Sequence, residues 1–509
     1  MRKLSARLTL WLAIILAASS LASAQPPVAA PTAFEWQAIG AQARAVQRAD
    51  ATETSLPFAM PHAAVLAASP RKVFAYYFPF FVMSMDNRPI AEDHWSVHYL
   101  RREGEAGKYA SGGGFVRERP LPVGPWASPY WREINGAIDV LRAQAVGIDA
   151  FGVGVQEPRI GQLVRGICDA AVNLAPGFGV FGEPDGGVLK LLPAEDMART
   201  LASFESCPAA LRLPDGHGLL APFAPQTRPV SYWAEVKERL RAENRAVDFI
   251  PVLLDPGRYA PDFGPISIAM SFWGWRDPDL ITGPRGQTLM SFVRRISPEW
   301  MQPISPQDFR PKDAVFWEAR NTSAFRAAWM EAINSHASFA HLITWNDYSE
   351  ATEIAPSSGI QYLFYDLTAY YTAWFKTGEP PAIIRDAVYY CHRTQVFDPD
   401  HPPLPTDRPF TRLGDTALAN EIEMLAFLTE PSQIEIEIGG QVYRGSAPAG
   451  LSNFRAPAAV GTPIFRIYRN QSLVLEKPGD WPIEAAPGAA SALYVGGSST
   501  RKFVRIPGQ

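Results

Sequence analysis

The residues best suited to do chemistry stand together near position 345. The stretch Leu342-Ile343-Thr344-Trp345-Asn346-Asp347-Tyr348-Ser349-Glu350 runs from an apolar segment straight into Trp, Asn, Asp, Tyr and Glu. Asp347 and Glu350 stand three apart just past the apolar run, so a single turn aims both carboxyls into one space. Two carboxyls are the minimum for splitting a glycosidic bond: one, protonated, assists the leaving oxygen, and the other, ionised, attacks or activates water. Like charges held close push their two pKa values apart, which separates the roles. A polar loop with a helix cap at Asn346 or Asp347 writes the same pattern. Spacing leaves both readings open.

Other reactive constellations are missing. The chain has no G-x-S-x-G, no H-E-x-x-H, no G-K-[ST] and no C-x-x-C. His94 and His98 are four apart, but Trp95-Ser96-Val97 between them lacks the Glu of a zincin. The run Gly112-Gly113-Gly114 opens no helix after a strand and is read as a loop, not a phosphate cradle. No metal or cofactor is implied, and carboxylate chemistry remains.

Stepping outward from the pair, β and α signals alternate. Residues 73–81 (VFAYYFPFF) form a buried-strand pattern, residues 130–146 carry Ile134, Ile138, Leu141 and Ala145 at helical spacing, and residues 148–155 (IDAFGVGV) follow as another strand. Further strands fit residues 178–181, 219–223, 249–254, 266–272 and 341–345, with helices at 230–242 and 323–334 among those between them. The rhythm is α/β, a (β/α)₈ TIM-type barrel over 71–397, in which active sites form at the C-terminal ends of the strands. A Pro-rich linker (398–407, DPDHPPLPTD from Asp398) precedes a change of period from 3.6 to 2: Ile434, Ile436 and Ile438 alternate with Glu435 and Glu437, and 408–509 reads as a small all-β sandwich.

On this frame further residues become candidates to bind substrate. Tyr77 ends the first strand. Trp273 and Trp275 alternate just past a strand, so at least one points to the mouth, where Trp stacks on sugar rings or simply packs. Glu318 precedes Arg320, and an ion pair on the surface is the plainer reading. Asp149 lies within an apolar strand, where a carboxylate needs a partner or a task, and a task is expected. Trp345, Asn346 and Tyr348 complete the set.

The 509 residues carry 47 Lys+Arg against 51 Asp+Glu, a net charge of −4 without a basic block, which excludes nucleic acid as a partner class. Aromatic residues make up 12%, including 14 Trp, compatible with a sugar-binding surface. Arg2, Lys3 and Arg7 precede an apolar run and Ala22-Ser23-Ala24, the pattern of a signal peptide over 1–24. The mature chain is then expected to be secreted or periplasmic with no integral membrane segment. Residues 25–70, rich in Ala, Pro and Thr, read as a linker with one short helix at 34–46. Three cysteines allow a single bridge at most, Cys168 and Cys207 being nearest in sequence, and sequence alone does not decide it.

Three blocks carry a family likeness. Residues 343–350 resemble the I-T-W-N-D-Y-G-E of glycoside hydrolase family 71, the endo-α-1,3-glucanases or mutanases, with Ser349 for Gly. Residues 145–151 (AVGIDAF) resemble its A-A-G-I-D-A-F, and residues 370–378 (YYTAWFKTG) its Y-Y-I-A-W-Y-K-T-G, followed by His392-Arg393-Thr394 for Y-R-T. The resemblance implies an inverting endo-hydrolase of α-glucan with Asp347 and Glu350 as catalytic pair and Asp149 as an essential cleft carboxylate. Glu183 and Asp185 resemble the polar end of an equivalent strand. By likeness to the W-N-E-W-x-E of family 99, Glu350 is assigned as acid and Asp347 as base. Residues 86–126 and 271–276 match no fungal pattern, and loops of the active face set substrate choice. An endo-hydrolase of another exopolysaccharide, mannan or mixed glucan, and a glycan-binding protein without catalysis are the rival readings.

Overall fold

The computed structural model describes residues 29–50, 56–158, 161–297, 299–396, 409–485 and 492–506. The expected export segment 1–24 and linker 398–407 lie outside them.

A five-stranded sheet forms the centre. In chain order its members are β1 (Lys72–Tyr77), β2 (Ala150–Val155) and β3 (Gly179–Pro184), joined later by Met301–Ile304 and Phe339–Leu342. Between β3 and these come β4 (Gly218–Leu220), β5 (Val247–Phe249), β6 (Val252–Leu253) and β7 (Ser271–Phe272). Met301–Ile304 is β8, the short pieces Phe309–Arg310 and Val315–Trp317 are β9 and β10, and Phe339–Leu342 is β11. The sheet order is β3-β2-β1-β11-β8, with every pairing parallel. Parallel pairing continues from β3 through the bridges Val180 to Ala210 and Asp185 to Phe223, then β4 with β5, Phe223 with Val252, β6 with β7, and Met270 with Trp300. Both faces of such strands are buried, which is why they read as continuous apolar runs.

The two faces differ in what they meet. Phe74, Ala150, Phe181, Leu219, Ile250, Val252, Ala269 and Met301 pack on one another, and the alternate positions Val73, Ala75, Phe151, Val153 and Val180 join the larger core beneath the helices. The helix Trp131–Ala145 buries Ile134, Ile138 and Leu141 there, and Val230–Ala242 buries Tyr232, Trp233, Val236 and Leu240. Each such side chain contributes about 1.5–3 kcal/mol on leaving water. Cys168 is bridged to Cys207, and Cys391 is free and buried.

Two expectations change. The strand Met301–Ile304 escapes the sequence pattern because Pro303 interrupts a four-residue run, yet it pairs with β11 along its whole length. The segment 25–70, expected to be a linker with one short helix at 34–46, holds that helix in longer form, Ala33–Asp50, and a second, Ala63–Ala68. Trp36, Ile39 and Ala43 are buried in the main core, and Tyr130 Oη donates to Glu35 at 2.5 Å.

The C-terminal residues form antiparallel sheets. One has the order Gly450–Pro457, Glu421–Leu428, Ala387–His392, Val495–Ser498, and the other Gln441–Ala447, Ser432–Ile438, Ile464–Arg469, Ser472–Pro478. Val388, Tyr390, Met424 and Ala426 of the first share a core with Ile434, Ile436, Phe465 and Ile467 of the second. Opposite-facing Tyr389, Cys391, Leu425 and Phe427 pack into the main core. The antiparallel unit therefore starts at Ala387, before the expected boundary at 408.

Candidate active site

The segment after β11 is held from three sides. Ile343 N–H donates to Ile304 O at 2.8 Å, Trp345 N–H to Tyr76 O at 2.8 Å and Thr344 N–H to Thr352 O at 2.8 Å. Asp347 N–H donates to Thr344 Oγ1 at 2.7 Å. Asp347 Oδ1 accepts from Ser349 N–H at 2.9 Å, Ser349 Oγ at 2.8 Å and Glu350 N–H at 3.2 Å, so the carboxylate closes a tight turn, not a helix. That turn carries Glu350 back beside Asp347.

Glu350 meets a guanidinium. Arg310 Nη1 lies 3.0 Å from Glu350 Oε1, while the Nε and Nη2 of the same side chain grip Asp308 at 2.7 and 2.6 Å. Arg276 Nε stands 3.4 Å from Asp308 Oδ2 and its Nη1 donates to Trp273 O at 2.8 Å. Phe309 N–H donates to Glu350 O at 2.8 Å, tying the two segments by backbone as well. Glu350 Oε2 is buried and has no hydrogen-bond partner among the described residues. Burial pushes the Glu350 carboxyl up to about 7 against the pull of Arg310, with the charges of Asp347 and Asp308 adding to the rise and Lys312 opposing it. Burial works against the Arg310 charge, but Asp308 and Glu350 outweigh it and hold the guanidinium above its ordinary value.

Below this pair the inner strand face turns polar. Glu183 Oε2 lies 3.3 Å from His341 Nε2, both side chains buried, and burial raises the Glu183 carboxyl while His341 pulls it down. Tyr76 packs edge-on to Trp273 with ring centres 5.3 Å apart, and Trp273 packs on Phe223 at 4.5 Å. Burial, then the charges of Asp185, Glu183, Asp347 and Glu350, lift the Tyr76 phenol well above its usual value. Asp185 Oδ1 accepts from the N–H groups of Gly187 and Val188 at 2.8 and 3.0 Å, and burial pushes its carboxyl up to about 6. Glycine is required opposite: a Cβ on Gly152 would collide with Glu183 Oε2, and one on Gly154 with Tyr76 Oη.

The family model of glycosyl hydrolase family 71 matches residues 128–490, more than half of the chain. The chain belongs to glycosyl hydrolase family 71. It is accordingly a glycoside hydrolase. Glucan endo-1,3-alpha-glucosidase agn1 of Schizosaccharomyces pombe is 21% identical over 377 residues, covering 68% of this chain and 85% of that protein. The mutanase Pc12g07500 of Penicillium rubens is 25% identical over 210 residues, 35% of this chain and 43% of the other. Among solved structures, the GH99 endo-alpha-mannosidase of Bacteroides thetaiotaomicron aligns with a TM-score of 0.46 at 14% identity, covering 60% of this chain and 97% of that one.

In this family 71 chain the expected site residues divide. Asp347, Glu350, Glu183, Asp185 and Trp273 are brought together, all coupled through Tyr76 by contact or charge. Tyr77 is not among them. Its ring faces outward onto Phe151 at 5.0 Å and its hydroxyl donates to Asp139 at 3.3 Å, because successive side chains of a strand alternate and Tyr76 takes the inner face. Trp345 likewise points into the core and donates to Asp139 at 2.9 Å. Asn346 ties the chain after β1, accepting from Phe78 N–H at 2.7 Å and donating to Phe78 O and Phe81 O at 2.9 and 3.0 Å. Tyr348 packs edge-on to Trp95 at 5.1 Å within an aromatic cluster built by residues 81–116. Trp275 packs on Phe272 at 4.8 Å, on the outer side.

Asp149 and Glu318 are corrected outright. Asp149 precedes β2 and so lies at the strand end away from Asp347. Its Oδ2 meets Lys376 Nζ at 2.7 Å and accepts from Val73 N–H at 2.7 Å. A partner, not a task, explains its burial. Glu318 is no surface group: it is fully buried, paired with Arg393 at 2.8 Å, and accepts from Tyr494 Oη at 2.5 Å and Arg320 N–H at 2.7 Å, joining the two units. Sequence reasoning missed Tyr76, His341, Asp308 and Arg310. A histidine within an apolar run could have marked His341; β1 is apolar on both faces, so nothing singled out Tyr76, and no local pattern marks the other two. Of metal-ligating types, Asp215, His217 and Asp248 bring ligand atoms within 4.8 Å of one another at the starts of β4 and β5, remote from Glu350.

Proposed function

We propose that this chain is an exported, endo-acting hydrolase of α-1,3-glucan that inverts configuration, with Glu350 as general acid and Asp347 as general base. The observation that carries the assignment is Glu350 itself: a buried carboxyl pushed to about 7, with Oε2 free to hold a proton, one turn from a carboxylate fixed by three donors. An acid that must be protonated near neutral pH needs such surroundings. Glu350 gives its proton to the glycosidic oxygen as the C1–O bond breaks, and a water adds to the opposite face of C1, yielding its proton to Asp347. Tyr76, Trp273, Glu183 and Asp185 bind the sugar, the rings by stacking and the carboxylates through hydroxyls. The names of the two fungal relatives support glucan over mannan as substrate.

The parallel pairings that lead from strand to strand around the central set support reading it as a (β/α)₈ barrel, with the site at its C-terminal strand ends. The shared core of the antiparallel sheets supports a β-sandwich starting at Ala387. For export, the pattern of residues 1–24 is the support, and no helix among the described residues is long and apolar enough to cross a membrane.

Glu350→Gln tests the acid. Turnover of α-1,3-glucan should fall at least about a hundredfold, the lower range of what a positioned acid contributes, while an aryl α-glucoside with a good leaving group is spared. Equal losses on both substrates would remove Glu350 from the role. Inversion of an α linkage releases the β-anomer first, readable by proton NMR within seconds of mixing, and an α-configured first product would replace inversion by retention.

A further inference from the structure

We propose that Arg310, backed by Asp308, is a positioning residue that holds Glu350 by its Oε1 and so directs the catalytic proton to Oε2. The inference rests on the reading of Glu350 as acid. A guanidinium that served only to neutralise a buried Glu would present its two-toothed face to it, since parallel N–H donors bind a carboxylate best. Here that face is given to Asp308 through Nε and Nη2 at 2.7 and 2.6 Å, and Glu350 receives Nη1 alone at 3.0 Å. Among the described residues Glu350 Oε2 is left without a partner. A neutral carboxyl whose Oε1 accepts from Arg310 carries its O–H on Oε2, the oxygen that no protein donor among the described residues occupies.

Asp308 sets the balance of charge. Its side chain is fully buried, and it cancels the Arg310 charge that would otherwise keep Glu350 ionised. The groups facing Glu350 are Arg310, Asp308, Asp347, Lys312, Arg276 and Tyr76. Glu350 surrenders the Oε2 proton to the glycosidic oxygen as the C1–O bond breaks, the water oxygen bonds C1 as Asp347 takes its proton, and the Glu350 carboxylate stays on Arg310 until solvent returns a proton to it and takes up the one on Asp347. After turnover the net change is one water consumed.

The test is the pH dependence of kcat/KM on α-1,3-glucan for the wild type, D308N and R310M, with melting temperature measured in parallel. An acid is lost as pH rises through its pKa, so the alkaline limb reports Glu350. D308N leaves Arg310 uncompensated and should move that limb down by about one pH unit. R310M removes the cation and should move it up by a similar amount, about one unit, with the acidic limb in place. A purely structural role lowers the folded fraction and moves neither limb. Coincident limbs, or shifts of the same sign, overturn the inference; should R310M fail to fold, D308N decides alone. E350Q separates the two readings: if E350Q retains glucan turnover, the assignment of the acid has failed, whereas an inactive E350Q with unmoved limbs in D308N and R310M defeats only the role of Arg310.

Discussion

Asp149→Asn distinguishes two opposed accounts of one carboxylate. The family likeness implies an essential cleft residue, and the structure gives it Lys376 at 2.7 Å, an ammonium itself buried and donating to Gly147 O at 2.7 Å. Burial lowers the Lys376 pKa and raises that of Asp149, and each charge pulls the other back. Asn keeps an acceptor for Val73 N–H, so the variant loses little except the charge. Stranding one member of a buried pair costs about 3–5 kcal/mol. At roughly 2–4 °C per kcal/mol for a domain of this class, melting should fall by about 6–20 °C. Specific activity of the folded fraction should stay near that of the wild type, because β2 spans six residues and at about 3.3 Å per residue sets Asp149 some ~20 Å from the other strand end. The double variant D149N/K376M should recover most of the loss, since no charge is then left alone. Differential scanning calorimetry with parallel rate measurements reads both quantities. A D149N enzyme that melts with the wild type yet fails to turn over would refute this account and restore Asp149 to the cleft.

Trp273→Ala should raise KM for glucan with little change in melting, whereas Trp275→Ala, half-buried on the outer side, should cost about 1–3 kcal/mol of stability and leave KM alone; interchange of these outcomes would reverse the assignment of faces. Glu353 is buried against Glu118, and burial with the neighbouring carboxylate raises its pKa well above 4.5. A raised carboxyl gives its full contribution below the unfolded value and loses it as pH climbs toward the folded one. Glu353→Gln, which can still donate to Glu118, should match the wild type in denaturant at pH 4.5 and gain about 1.4 kcal/mol per pH unit above it until the folded value is passed; a gap that does not change with pH would exclude a shared proton.

How much of this was legible beforehand depends on which force left its mark locally. The helices Val230–Ala242 and Ser323–Asn334 carry apolar residues on one face at helical spacing, and the sequence pattern gives their bounds without error. That Glu350 and Asp347 stand together past β11 was legible because an apolar strand breaks into polar residues at its end. Tyr76 and Tyr77 were not separable, since β1 is apolar on both faces and nothing in KVFAYY says which parity looks inward. Arg310 and Asp308 sit 40 and 42 positions before Glu350 in a segment with no regular period. Tertiary contacts bring them there: the backbone link from Phe309 to Glu350, the Lys312 bond to Ser349 Oγ at 2.8 Å and the packing of Phe309 with Ala351.

Strand direction sorts the buried carboxylates by what burial has done to them. In a parallel set, a residue just before a strand and one just after it lie at opposite ends, whatever their distance in sequence. Asp149 precedes β2 and is matched with Lys376. Asp185 follows β3 and Glu350 follows β11; among the described residues no cation meets the first and Arg310 meets one oxygen of the second, and burial lifts them to about 6 and about 7. A carboxyl paired on every side holds the fold, and one that is buried but left short of partners can give up a proton at neutral pH. On that ground we propose that the end of the strands that carries Asp185, Asp347 and Glu350 is the reactive one, and that the end that carries Asp149 keeps it in place.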